Sequence, residues 1–125
     1  MAQRVPPELE NKLARLQALQ AQYTRIAQER ASVEAEISEV RRVLKILEEA
    51  GEDAPVYRLE GTIFIRVDKS KLVEELKDRL EILELRLQKL KKQEEELKKQ
   101  LDKLAEELKS LQAKLSLGKQ GGAGG

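Results

Sequence analysis

The chain has no cysteine, no histidine and no tryptophan. Without cysteine there are no disulfides and no thiolate nucleophile, and without histidine the commonest general base is missing. Together the two absences remove the ligands of ordinary zinc sites. Aromatic residues make up 2% of the 125 residues against 38% charged, too few large apolar side chains for an ordinary globular core. No stretch of about 18 apolar residues occurs, and the start, MAQRVPPELE, has no apolar segment of signal-peptide length, so the expectation is a cytoplasmic chain with no membrane partner. Basic and acidic residues, 24 and 23, nearly cancel to a net charge of +1, which leaves no overall field to draw the chain to nucleic acid. The basic run Lys89–Lys92 is followed by Glu94, Glu95 and Glu96 and has no aromatic beside it for base stacking, which makes it a solvated helix face. Carboxylates are plentiful, but no pattern provides a pocket to tune one for acid–base work. No catalytic residue, cofactor or metal is expected, and no enzyme.

What remains is rich in Ala, Glu, Lys, Leu and Arg, the composition of long helices and coiled coils. A first helix is expected over residues 7–50, opened by Pro6-Pro7 with Glu8 and Glu10 at the positive end of its dipole, and closed by Gly51 as C-cap with Pro55 beyond. A loop and strand segment follows over 51–68. A second helix is expected over 69–117, capped by Asp68 or Ser70, and a flexible glycine-rich tail over 118–125, the whole forming one domain. The tail has no strand before it and no helix after it, so it is not a phosphate-binding loop.

Both helices carry apolar residues at alternating steps of four and three: Leu16, Leu19, Tyr23, Ile26, Val33, Ile37, Val40, Leu44 and Leu47 in the first, and Val73 through Leu115 in the second. That average period of 3.5 keeps one stripe against a partner helix along its length. The helices are each on the order of 65–70 Å long at 1.5 Å per residue, so they match each other as an antiparallel pair. One register fills every layer: Leu47 with Val73, Val40 with Leu80, Ile37 with Leu83, Val33 with Leu87, Leu19 with Leu101, Leu16 with Leu104 and Leu9 with Leu111. Its fold-back is centred on residue 60. Two charged residues interrupt the stripe, Arg30 opposite Leu90 and Glu94 opposite Ile26, in adjacent layers where the opposite charges either reach each other and fix register or snorkel outward to solvent. Lys12 opposite Leu108 should loosen the seam toward the helix ends.

At the fold-back the pattern changes. VYRLEGTIFIRVD, Val56 to Asp68, holds two of the three aromatics and a run of β-branched residues, and Glu60-Gly61 offers a two-residue turn for a β-hairpin. With the turn there, Tyr57 lies opposite Phe64 and Arg58 opposite Ile63. One face of the ribbon shows Tyr57, Leu59 and Phe64; the other shows Val56, Ile63, Ile65 and Val67. A lone ribbon with two apolar faces is marginal in water, and the helices spend their stripes on each other, so Val56, Tyr57, Leu59, Gly61, Ile63, Phe64, Ile65 and Val67 form an expected oligomerisation surface.

A helix, one Tyr-containing hairpin reading YRLEGTIFIRVDK, and a second helix of similar length resemble the β-type subunit of prefoldin. The likeness spans nearly the whole chain, from PPELE to the end of the leucine stripe. The α-type subunit of that family carries two hairpins, and the segment between the helices here has space for one. The resemblance implies a hexamer of two α-type and four β-type subunits, hairpins assembled into a β-barrel platform, and coiled coils whose ends hold unfolded client proteins without ATP and pass them to a group II chaperonin. Both chain ends would then lie at the client-binding tips, where Val5, Leu9, Leu13, Leu111, Leu115 and Leu117 supply apolar groups at a fraying seam. A different reading of the same residues is a structural coiled-coil assembly or filament that binds no client; a coiled-coil arm for nucleic acid is disfavoured by the charge balance.

Overall fold

A computed structural model of the chain describes residues 5–123. The element order is helix α1 (Pro7–Glu49), strands β1 (Val56–Glu60) and β2 (Ile63–Val67), and helix α2 (Lys69–Ala123). The fold is mainly helical, two long helices with one antiparallel hairpin between them. The expected single domain divides by its contacts into two compact units, the described residues of Met1–Gln28 and Lys91–Gly125 in one and Glu29–Leu90 in the other.

In the first unit the seam closes around Leu19, Leu104 and Leu108, with Leu9, Leu16, Leu97 and Leu101 packed against them. Lys12 does not loosen it. Leu108 is buried, and Lys12 Nζ donates to Glu107 Oε2 at 3.0 Å. A long side chain can keep its charge at the surface while its methylene stem lies along an apolar neighbour. The ion pair holds the Glu107 carboxyl below its ordinary range, through the hydrogen bond first and the lysine charge second. Tyr23 hydroxyl reaches Glu94 Oε1 at 3.4 Å, so the charged interruption sits among polar partners.

In the second unit Val33, Ile37, Val40, Leu47, Leu83 and Leu90 are buried, and Leu83, assigned to the Ile37 layer, is fully enclosed at 0% exposure. Ion pairs flank these layers on both sides. Arg79 Nη2 meets Glu36 Oε1 at 2.6 Å and Arg86 meets Glu29, each residue standing immediately before a seam position; Arg41 meets Glu84 at 2.8 Å, each immediately after one. Equivalent flanks face each other in an antiparallel pair, so these contacts report the expected register independently of the apolar layers. Exposed pairs of this kind contribute about 0–1 kcal/mol each, so they select an alignment more than they stabilise it.

The helix ends differ from expectation in two places. Gly51 is not in the left-handed conformation of a C-cap glycine, since Gly61 alone among the described glycines has positive φ. Instead Lys69 Nζ donates to the carbonyls of Ala50 at 2.9 Å and Gly51 at 3.3 Å, bringing a cation to the negative end of α1. Helix α2 runs on to Ala123 rather than ending at 117, so the supposed flexible tail is helical as far as it is described; Gly124 and Gly125 lie outside the described residues. Extending an existing helix is far easier than nucleating one, and no proline stops it.

At the start of α2, Asp68 is the cap. Its Oδ1 accepts from Ser70 N at 3.0 Å and Ser70 Oγ at 2.9 Å, which holds the carboxyl below its ordinary value.

Candidate functional site

The hairpin turns one residue later than the sequence suggests. Gly61 and Thr62 are the central pair, with Glu60 opposite Ile63, Leu59 opposite Phe64, Arg58 opposite Ile65 and Tyr57 opposite Arg66. Gly61 takes φ 61° while Thr62 stays negative, the sign pattern of a type II′ turn, which asks for glycine at the first central position. Tyr57 opposite Phe64 and Arg58 opposite Ile63 are therefore corrected, while the two faces stand. Tyr57, Leu59 and Phe64 share one face with Arg66; Val56, Ile63, Ile65 and Val67 share the other with Arg58.

Among the described residues none covers the middle of this ribbon. Tyr57, Leu59, Ile63, Phe64 and Ile65 are all exposed, Phe64 to 71%, and only Val56 and Val67, next to the helices, are half-buried. Two strands with such exposure are not a stable sheet by themselves. On the helical side Asp68 caps α2 directly after β2, and Arg58 Nη1 lies 3.6 Å from Glu75 Oε2 on α2.

The second candidate surface belongs to the first unit. Val5, Leu13, Leu115 and Leu117 are exposed, Leu117 to 68%, whereas Leu9 and Leu111 are half-buried and Leu9 packs on the Leu19 cluster. A groove in the same unit is lined by Leu111 together with Glu8, Lys12, Lys103, Glu107 and Lys114, side chains of both charges. Among the described residues no group of acidic side chains is arranged to hold a metal ion, and no helix is long and apolar enough to cross a membrane.

The sequence profile of a family described as prefoldin subunit matches residues 10–115. The chain is 38% identical over 85 residues, 68% of each protein, to a prefoldin subunit beta of Saccharolobus islandicus (strain L.S.2.15 / Lassen #1). It is 39% identical over 85 residues, again 68% of each, to that of Sulfurisphaera tokodaii. Among solved structures, the prefoldin beta subunit from Thermococcus strain KS-1 superposes with a TM-score of 0.77 at 34% identity, covering 88% of this chain and 96% of the other. The beta2 subunit from the same strain gives 0.64 at 23% identity, which speaks for the fold alone. An uncovered hairpin between two seam-paired helices, with those relatives beside it, has one home: the chain belongs to the prefoldin family of chaperone subunits and is of its β type.

Proposed function

We propose that this chain is one subunit of an ATP-independent holdase, built as a hexamer of two α-type and four β-type subunits, that captures unfolded proteins at the helix ends and passes them to a group II chaperonin. The observation that carries the reading is a division of apolar surface. The seam is buried, yet apolar side chains stay exposed elsewhere, among them those of the hairpin in one unit and Val5, Leu13, Leu115 and Leu117 in the other. In this reading the hairpins pair into a β-barrel platform, removing their unpaired edges. The exposed leucines and valine, rimmed by charge, contact apolar segments of many clients without selecting one sequence, and several arms acting together turn weak contacts into firm capture.

The test is to dilute a chemically unfolded protein into buffer without ATP and follow light scattering, with this chain and an α-type partner present or absent. Suppression by the mixture, with native mass spectrometry giving two α-type and four β-type subunits, is expected. Assembly without suppression would leave a structural scaffold with no client.

A further inference from the structure

The apolar stripe of α2, Val73 through Leu115, is leucine after its first position and is broken once, at Glu94. A stripe that regular fits a second copy of itself as well as it fits α1, because in a parallel, in-register pair each leucine meets the same leucine. Charges beside the stripe do not prevent it. In that pair Arg79 would attract Glu84 of the copy while Arg86 would repel Lys91, and no other flanking pair carries two charges.

Glu94 is where the two pairings differ. On its own chain it is half-buried and accepts from the Tyr23 hydroxyl at 3.4 Å, and the α1 stripe also carries the cation Arg30. The α2 stripe carries no hydroxyl, amide or cation. In an α2–α2 pair each Glu94 therefore faces its own counterpart, two like charges that accept hydrogen bonds and donate none, with leucines in the layers on either side. An unpaired charge in a seam costs far more than a surface ion pair returns.

We propose that Glu94 selects the partner of α2: it commits the leucine stripe to α1 of its own chain by excluding in-register pairing with α2 of a second copy. One polar residue at a seam position is enough to choose between partners, at some cost in stability. Such a choice comes from penalising the wrong pair as much as from favouring the right one. Subunits of an oligomer hold their helices at high local concentration, where an uninterrupted leucine stripe would exchange between arms. The exclusion acts whether or not the arms hold clients.

The chain has no cysteine, so a single L101C reports parallel pairing cleanly. Seven residues past Glu94 on the same stripe, two copies of residue 101 face each other in that pair, within reach of a disulfide under a mild oxidant. In the chain's own fold Leu101 packs instead on the cluster of Leu19, Leu104 and Leu108. With the full chain over a range of concentrations, E94L/L101C should form disulfide-linked dimer at least about tenfold faster than L101C alone. E94Q/L101C should rise in the same direction by less. Helical circular dichroism should be unchanged, and E94L should melt no lower, since leucine continues the stripe. Y23F/L101C, which takes away the hydroxyl but leaves the carboxylate, should cross-link no faster than L101C. Contacts through the hairpin are common to every variant and cancel in the comparison. Dimer formation that rises in neither Glu94 variant overturns the proposal. An equal rise in Y23F/L101C overturns it too, because a loosened seam would then be the cause and the charge would not.

Discussion

Lys69, the first residue of helix α2, donates from Nζ to the carbonyl of Ala50 at 2.9 Å, just past the last residue of α1. One side chain thus joins the end of one helix to the start of the other, with the hairpin held between. Charge at a helix terminus is worth about 0.3–1 kcal/mol, so Lys69→Met should lower stability by that amount in a thermal melt. Gly51→Ala should be neutral, because its conformation suits any residue and a Cβ there meets nothing within 4 Å.

Gly61 should behave oppositely. Its φ of 61° costs a residue with a Cβ about 1–2 kcal/mol, which is large for a two-stranded ribbon. Gly61→Ala is expected to loosen the hairpin and weaken assembly while leaving helical circular dichroism intact.

Acid should destabilise the chain through carboxylates that the fold keeps ionised. Asp68 is lowered by its hydrogen bonds from Ser70 and Glu107 by Lys12. A folded value below the unfolded one means stability that is present above the ordinary carboxylate value of about 4 and is lost as pH falls through the lowered folded value. Melting temperature should therefore drop on going from about pH 5 to pH 2. Asp68→Asn, which still caps a helix, should match wild type at pH 7 and show a shallower fall. An equally steep fall in that variant would remove Asp68 from the account.

The seam and the outer helix surface should answer differently to the same truncation. Leu83→Ala removes a fully enclosed side chain and should cost about 2–5 kcal/mol. Ile82→Ala, one residue away and mostly exposed, should stay within about 0.5 kcal/mol. Denaturant unfolding of the two variants checks both.

The helical register was legible because a period of 3.5 leaves one stripe per helix, and stripes of similar length align in few ways. The ion pairs of Glu36 with Arg79 and Arg41 with Glu84 fall where that alignment puts them. The turn was harder, since Glu60-Gly61 and Gly61-Thr62 both offer a glycine to a two-residue loop and differ only in which position needs positive φ. The faces survived the error because moving such a turn by one residue shifts every partner by two, the period of a strand. Lys69 was missed as a cap because its acceptors are 18 and 19 residues away in sequence. Lys12 was misread as a weak point because the sequence does not say whether a charged side chain leaves the seam or lies along it. Ile82 and Leu85, 58% and 61% exposed, gave no signal either: two apolar residues outside the stripe look like scatter until their exposure is known.

The most direct test of the claim that the hairpin assembles and the helix ends capture is to replace Leu13, Leu115 and Leu117 by Ser in the complex formed with an α-type partner, and to measure assembly and aggregation suppression together. Leu13 and Leu117 lie outside the stripe and Leu115 is its last, exposed position, so the change should cost the seam little. The account predicts an oligomer of unchanged mass whose suppression of aggregation is largely lost; an unchanged oligomer that protects clients as well as wild type would contradict it.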